Sequence, residues 1–314
     1  DALDAGSLRR AFRGCDAVMH VAGVVGSSER AWRVNAQSPE VAVAAAAAEG
    51  VRRVVLTSSV VAIGPQPDGQ LGTEDDPYRA GGLGLVYLDS KHEGEARALA
   101  AALHHDVDLV VVNPAYVLGA PVDRSSPGES SARRVLDFLA GRMPAILDAP
   151  TNVVDVRDVA TAHVLALDRG RRGERYIAGG HNVMWREVVE RAQAVSGRRE
   201  PVLLLPRSLA TAARATNALG LGTLGGVGLL ARLAAPNWQY SSAKAERELG
   251  YRPRPLDDTL RDAWEWFRGL VDAGLVDDRP SGAVRAVRAG QRAGLVRALR
   301  AAGRVAGRPL VAGG

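Results

Sequence analysis

DAVMHVA, residues 16–22, and RVVLTS, residues 53–58, are the two stretches on which the fold turns. Each is a short run rich in β-branched residues, bounded by polar or turn residues, as expected of a parallel strand buried on both faces. Between them Ser38 and Pro39 read as a helix start, and EVAVAAAAAEG continues to a stop at Gly50. Strand, helix, strand is a βαβ unit. Working outward, a helix is expected from about Tyr87 to Leu103, a strand at VDLVVVNP from Val107 to Pro114, and a strand running into a helix at NVVDVRDVATAHVLAL, residues 152–167. This alternation predicts an α/β chain with a doubly wound, Rossmann-like parallel sheet.

Beyond Gly170 the texture changes. ERYIAGG reads as a short strand, MWREVVERAQAVSG as an amphipathic helix ending at Gly197, and PVLLLP as another strand. SSAKAERELG and LDDTLRDAWEWFRGLV read as two further helices joined by YRPRP. The expected organisation is a nucleotide-binding domain over 1–120 and 151–170, a smaller α/β substrate lobe over 121–150 and 171–278, and an arginine-rich tail over 279–314.

The 314 residues carry a net charge of +5, but residues 281–314 hold seven arginines and no acid, so the remainder carries a net −2. Nucleic-acid binding is therefore not expected. The basic tail suits weak contact with an anionic membrane surface. Cys15 is the single cysteine; it excludes an internal disulfide, fits a reducing, cytoplasmic setting, and reads as a small buried apolar side chain. The most apolar long run, Ala215 to Ala231, contains Thr216, Asn217, Thr223 and five glycines, a poor spanning helix.

Of 40 basic residues, 38 are arginine, and one of the two lysines, Lys91, lies four residues after Tyr87 in YLDSK. On a helix that spacing puts both side chains on one face. A phenol titrates near pH 10, too high for acid–base work at neutral pH, and a neighbouring ammonium favours the phenolate. The pair is a proton relay for a carbonyl or alcohol. TSS, Thr57 to Ser59, ends a buried strand and supplies hydroxyls where open α/β sheets bind ligands.

In this order, HVAG (20–23), LTSSVVAIG (56–64), YLDSK (87–91), NPAYVLG (113–119) and DVRDVATAH (155–163) closely resemble the extended short-chain dehydrogenase/reductase family, which includes NAD-dependent epimerases and dehydratases. GRMPAILD, GERYIAGG and AERELGYRPRPLDDTLRDAWEWFR are similar to its dihydroflavonol-reductase-like branch, in particular the hopanoid-associated sugar epimerases. The resemblance runs from Asp1 to about Val271. It implies NAD or NADP as cofactor, a small-molecule substrate, and a homodimer. It implies Ser59 as catalytic serine, with Ser58 its neighbour, Tyr87 as general acid/base, and Lys91 as the group that lowers the tyrosine's pKa and holds the nicotinamide ribose. Asn35 sits where the family has a structural asparagine, although Gln37 and Ser38 replace the usual Gly-Thr after it. Pro114, Ala115 and Val117 would line the nicotinamide, and Ala22 and Gly23 the adenosine side, Gly23 standing where alanine is more usual. Thr57, at the strand end, completes the set.

DALDAGSL, residues 1–8, resembles the segment after the family's third strand, so two strand–helix units carrying the glycine-rich phosphate turn are expected upstream. The G-x-G-x-x-G at Gly220–Gly225 follows no strand and is a chance match. Outside the chemistry, His20, Trp264 and Trp266 read as packing residues, Asp158 as a helix N-cap, and His104 with His105 as a solvated pair. The expected reaction is NAD(P)-dependent oxidation or epimerisation at a secondary alcohol or ketone, on a sugar or nucleotide sugar. The alternatives are a dihydroflavonol- or hydroxysteroid-type ketone reductase and a non-catalytic nucleotide-binding protein.

Overall fold

The computed structural model describes residues 1–126, 137–198, 202–208, 235–292 and 311–312. Gly220–Gly225, Ala215–Ala231 and most of the tail lie outside the described residues. The chain divides into two compact units: 1–117, 157–181 and 238–253 form the first, and 118–156, 182–237 and 254–314 the second.

The first unit contains α1 (Ala5–Phe12), β1 (Ala17–His20), α2 (Glu29–Ala48), β2 (Arg53–Thr57), α3 (Val86–His104), β3 (Asp108–Pro114), α4 (Val156–Arg169), β4 (Arg175–Ala178) and α5 (Ala243–Leu249). Its four strands pair in the order β1-β2-β3-β4, all parallel, with Val55 of β2 between Met19 and Val110. The unbroken apolar runs of β2 and β3 are accounted for by two clusters. Val54, Leu56, Leu109 and Val111 pack with Val43, Ala46, Ala98 and Ala102 of α2 and α3. Val55, Val110 and Val112 pack with Ala162, Ala166, Tyr176 and Leu249. Residues i and i+1 thus face opposite layers, as the pleat requires. Arg53 ties the layers together, donating to the Leu167 and Gly170 carbonyls that the end of α4 leaves unpaired and pairing with Asp108.

Several expectations are corrected. α2 starts at Glu29, capped by the Ser28 side chain, which accepts from the Ala31 amide; Ser38 and Pro39 lie inside the helix. Ser38 bonds back to the Val34 carbonyl at 2.6 Å, the mid-helix alternative to capping. β4 was expected in the smaller lobe, but it hydrogen-bonds along β3. Cys15 is exposed, because it sits in the turn after Gly14 rather than in the strand. Asp158 is not an N-cap: α4 begins at Val156, so its carboxylate lies in the first turn, facing the positive end of the helix dipole.

In the second unit, strands Ala145–Asp148 and Val202–Pro206 pair in parallel, and Val311–Ala312 adds antiparallel to the latter. Strand Pro150–Asp155 lies in a separate three-stranded sheet beside His181–Met184. Helix Leu256–Asp272 buries Leu260, Ala263, Trp266, Phe267 and Leu270 on one face. The Trp266 indole donates to the Arg124 carbonyl, and Arg198 lies 5.4 Å from the ring centre of Trp264; both tryptophans pack. The tail contributes helix Gly282–Arg292, from which Val284 is fully buried. Among the described residues no helix is long and apolar enough to cross a membrane, and no cluster of three or more His, Cys, Asp or Glu is arranged for a metal.

Candidate active site

The carboxyl ends of three adjacent parallel strands carry the candidate residues. Ala22 and Gly23 follow β1, Thr57, Ser58 and Ser59 end β2, and Pro114 ends β3 with Ala115 and Val117 after it. This is the edge at which open parallel sheets bind ligands. α3 runs past it, with Tyr87 in its first turn and Lys91 one turn on.

Ser59 is the turning point of the chain. Its backbone is extended (φ −169°, ψ 156°) and caps the short 3-10 turn Val60–Ala62, its hydroxyl accepting from the Val61 amide at 3.3 Å. That hydroxyl lies 3.5 Å from the Pro114 carbonyl and is near enough to the Tyr87 phenol to act on its charge. Burial pushes the Tyr87 pKa up from its ordinary value, and the Ser59 hydroxyl pulls the other way by favouring the phenolate. The opposing pull here comes from Ser59, where the sequence had pointed to Lys91.

The Lys91 ammonium donates to the Thr57 carbonyl at 3.3 Å. Burial brings its pKa down to about 8, with the Glu95 carboxylate resisting. It also lies against Gly23, where a Cβ would come within 3.0 Å of Nζ. One of its three N–H donors is thus committed, and the other two have no partner among the described residues. Ala22 is exposed just past β1, Ala115 is buried with its amide bonded to the Ala178 carbonyl, and the Ser58 hydroxyl is buried with no partner.

Asn35 does not reach Ser59 or Lys91 by hydrogen bond. Its amide brackets Val24, accepting from the Val24 nitrogen at 2.9 Å and donating to the Val24 oxygen at 2.8 Å, and also donates to Ser90. Ser90 in turn donates to the Tyr87 carbonyl. Asn35 therefore fastens the loop after β1 to the first turns of α3.

Four further residues support the site. The Ser38 proton is given to Val34, so His20 must donate Nε2–H to Ser38 at 3.0 Å. Burial, then the Lys91 charge, brings the His20 pKa down to about 4 and keeps it neutral. His163 bonds the Val159 carbonyl through Nδ1, which leaves Nε2 to accept from the Thr57 hydroxyl at 2.6 Å. Glu95 and Asn113, both buried, are bonded to each other at 2.8 Å, and Asn113 also donates to the Ser59 carbonyl. The trace these leave in the sequence is slight: a lone polar residue inside VVVNP, and an acid one turn after the lysine.

Comparison with known proteins identifies the family. The model of the NAD-dependent epimerase/dehydratase family matches residues 1–179. The chain belongs to that family. A putative dihydroflavonol 4-reductase from Synechocystis is 32% identical, over 85% of this chain and 80% of its own. A sterol demethylase protein B from Methylococcus capsulatus is 29% identical over 85% and 83%. Among solved structures, a nucleoside-diphosphate-sugar epimerase from Pseudomonas aeruginosa superposes with a TM-score of 0.70 at 28% identity, covering 88% of this chain and 82% of the other. The epimerase/dehydratase family thus accounts for the Rossmann-like fold, and the similarities reach both reductases and sugar epimerases.

Proposed function

We propose that the protein catalyses NAD(P)-dependent oxidation and reduction at a secondary alcohol or ketone carbon, acting on a sugar or nucleotide sugar. One observation carries this reading: α3 brings Tyr87 and, one turn on, Lys91 to the carboxyl end of β2, where the Lys91 ammonium donates to the Thr57 carbonyl at 3.3 Å and the Ser59 hydroxyl acts on the Tyr87 phenol.

The residues present fit the cofactor. Two uncommitted N–H donors on Lys91, beside a glycine whose missing Cβ leaves room at 3.0 Å, suit the two hydroxyls of a ribose. The buried, unpartnered Ser58 hydroxyl offers a further polar contact. Bound NAD(P) supplies the hydride acceptor or donor. Ser59 donates a hydrogen bond to the substrate oxygen and holds it against Tyr87. Tyr87 takes the hydroxyl proton in the oxidative direction and returns it in the reductive one. The Ser59 hydroxyl favours the phenolate against the burial that disfavours it.

The sugar reading is supported by the likeness to the nucleoside-diphosphate-sugar epimerase, and a ketone-reductase reading by the 32% identity to the putative dihydroflavonol 4-reductase. A panel of nucleotide sugars, sugar phosphates, flavonoid ketones and steroid ketones, assayed by change in NAD(P)H, separates them. Turnover confined to the aromatic or steroid ketones selects the second. Tyr87→Phe lowers kcat by about 10²–10⁴-fold while the fold is retained; an active variant refutes the assignment.

A further inference from the structure

We propose that Glu95 is a positioning residue of this site, holding Ser59 in place through Asn113 and holding the charge on Lys91 across one turn of α3; this rests on the Ser59–Tyr87–Lys91 reading above. Glu95 is 4% exposed, and a buried carboxylate persists only where it is fully partnered. Its Oε2 accepts from Asn113 Nδ2 at 2.8 Å and its Oε1 from Arg175 at 3.2 Å. Arg175 cannot turn away, because it also donates to the Glu74 and Asp76 carbonyls at 2.7 and 3.1 Å.

The second proton of Asn113 Nδ2 goes to the Ser59 carbonyl at 3.1 Å, which also accepts from the Ala62 amide at 3.0 Å. Flipping the amide would set its oxygen against the Glu95 carboxylate, so the carboxylate dictates which way Asn113 faces. The cost is visible, since Asn113 Oδ1 is left buried without a partner. Ser59 is therefore clamped at its carbonyl by a chain of contacts that begins on α3, the helix that carries Tyr87 and Lys91.

The same carboxylate acts on Lys91 through space, since residues four apart on a helix are neighbours. The groups around Lys91 are few: Tyr87 and Glu95 on α3, neutral His20 on β1, the Thr57 carbonyl on β2, and the Asn35 amide of α2 near Gly23. Around Glu95 lie Arg175 and, beyond it, Glu74 and Asp76. The Glu74 carboxylate accepts from the Ile177 amide, and burial pushes its pKa up. Glu95 is the anion that keeps Lys91 charged against its burial. A Glu95 that merely neutralised Arg175 would leave Lys91 indifferent to its loss.

With only two lysines in the chain, carbon-13 NMR of the lysine ε positions resolves Lys91 directly, Lys244→Arg providing the assignment. The Lys91 midpoint is expected near 8 in the parent protein. Glu95→Gln lowers it by about one to two pH units and lowers kcat with it. Arg175→Gln leaves the carboxylate unopposed and raises the midpoint. Asn113→Ala lowers kcat by about tenfold or more through loss of the Ser59 clamp, with the Lys91 midpoint unmoved. Midpoints that do not respond to either charge change overturn the electrostatic role, and an unchanged kcat in Asn113→Ala overturns the clamp. Should Glu95→Gln fail to fold, the sign of the Arg175→Gln shift decides the electrostatic role. The midpoints are read without turnover, so an active Tyr87→Phe sinks the catalytic reading and leaves them untouched.

Discussion

Replacing Gly94 with alanine tests how the site is assembled. Pro39, inside α2, has no amide proton to give the carbonyl four residues back, which belongs to Asn35. The Gly94 backbone of α3 lies against that freed oxygen: a Cβ built on Gly94 would stand 2.0 Å from it and 3.1 Å from the Asn35 carbonyl carbon. Real Cβ atoms do not come within 3.0 Å of another heavy atom, so the helices must separate locally by at least about 1 Å. The separation would open the small-residue seam in which Ala46, Ala98 and Ala102 pack. Overpacking of this kind costs about 1–3 kcal/mol or more, against a gain of about 1 kcal/mol from exchanging glycine for alanine in a helix. With a clash against backbone at 2.0 Å the cost lies at the upper end of that range, so the expected net loss is about 2 kcal/mol in urea unfolding. Activity should fall further than stability, because Asn35 links the Val24 loop to Ser90 and, through it, to the Tyr87 carbonyl. A Gly94→Ala protein as stable as the parent would refute the close approach of the two helices.

Other outcomes follow from the buried polar groups. The His20 pKa of about 4 in the folded protein lies below its ordinary 6.5, so between these values the unfolded chain binds a proton that the native state does not. Stability therefore falls as pH drops through that window, by about 1.4 kcal/mol per pH unit from this residue, and His20→Asn flattens the slope in urea titrations at pH 4.5 and 7; equal slopes in the two proteins exclude it. Thr57→Val removes the hydroxyl that His163 Nε2 accepts, stranding a buried acceptor at a cost of about 1–3 kcal/mol, and an unchanged urea midpoint would contradict the tautomer assigned to His163. Gly23→Ala places a methyl 3.0 Å from the flexible end of Lys91, which can move aside, so kcat/KM should stay within about tenfold; complete loss would mean that the ammonium has no room to give.

Much of the scaffold is legible because its signals are local. Apolar runs of β-branched residues marked β1, β2 and β3 to within about two residues, and α3, Val86–His104, is close to the expected Tyr87–Leu103. The α2 start was misread because Ser-Pro is an N-cap signal in isolation, whereas Ser28 and the packing of the whole helix prevail in the fold. Cys15 is exposed because one turn residue decides its side of the chain, which composition does not report.

By itself the sequence determined the parallel α/β plan and the one-face placement of Tyr87 and Lys91, since strand and helix periodicities are properties of adjacent residues. The tertiary structure decided what surrounds that pair. It brought Asn113 from β3, Arg175 from β4 and Glu95 from α3 to one buried junction behind Ser59, although 80 positions separate Glu95 from Arg175. It also turned Gly94, a weak point in any isolated helix, into the contact that lets α2 and α3 meet. Burial and long-range hydrogen bonding depend on which elements pack together, and the pattern within any one element is silent on that.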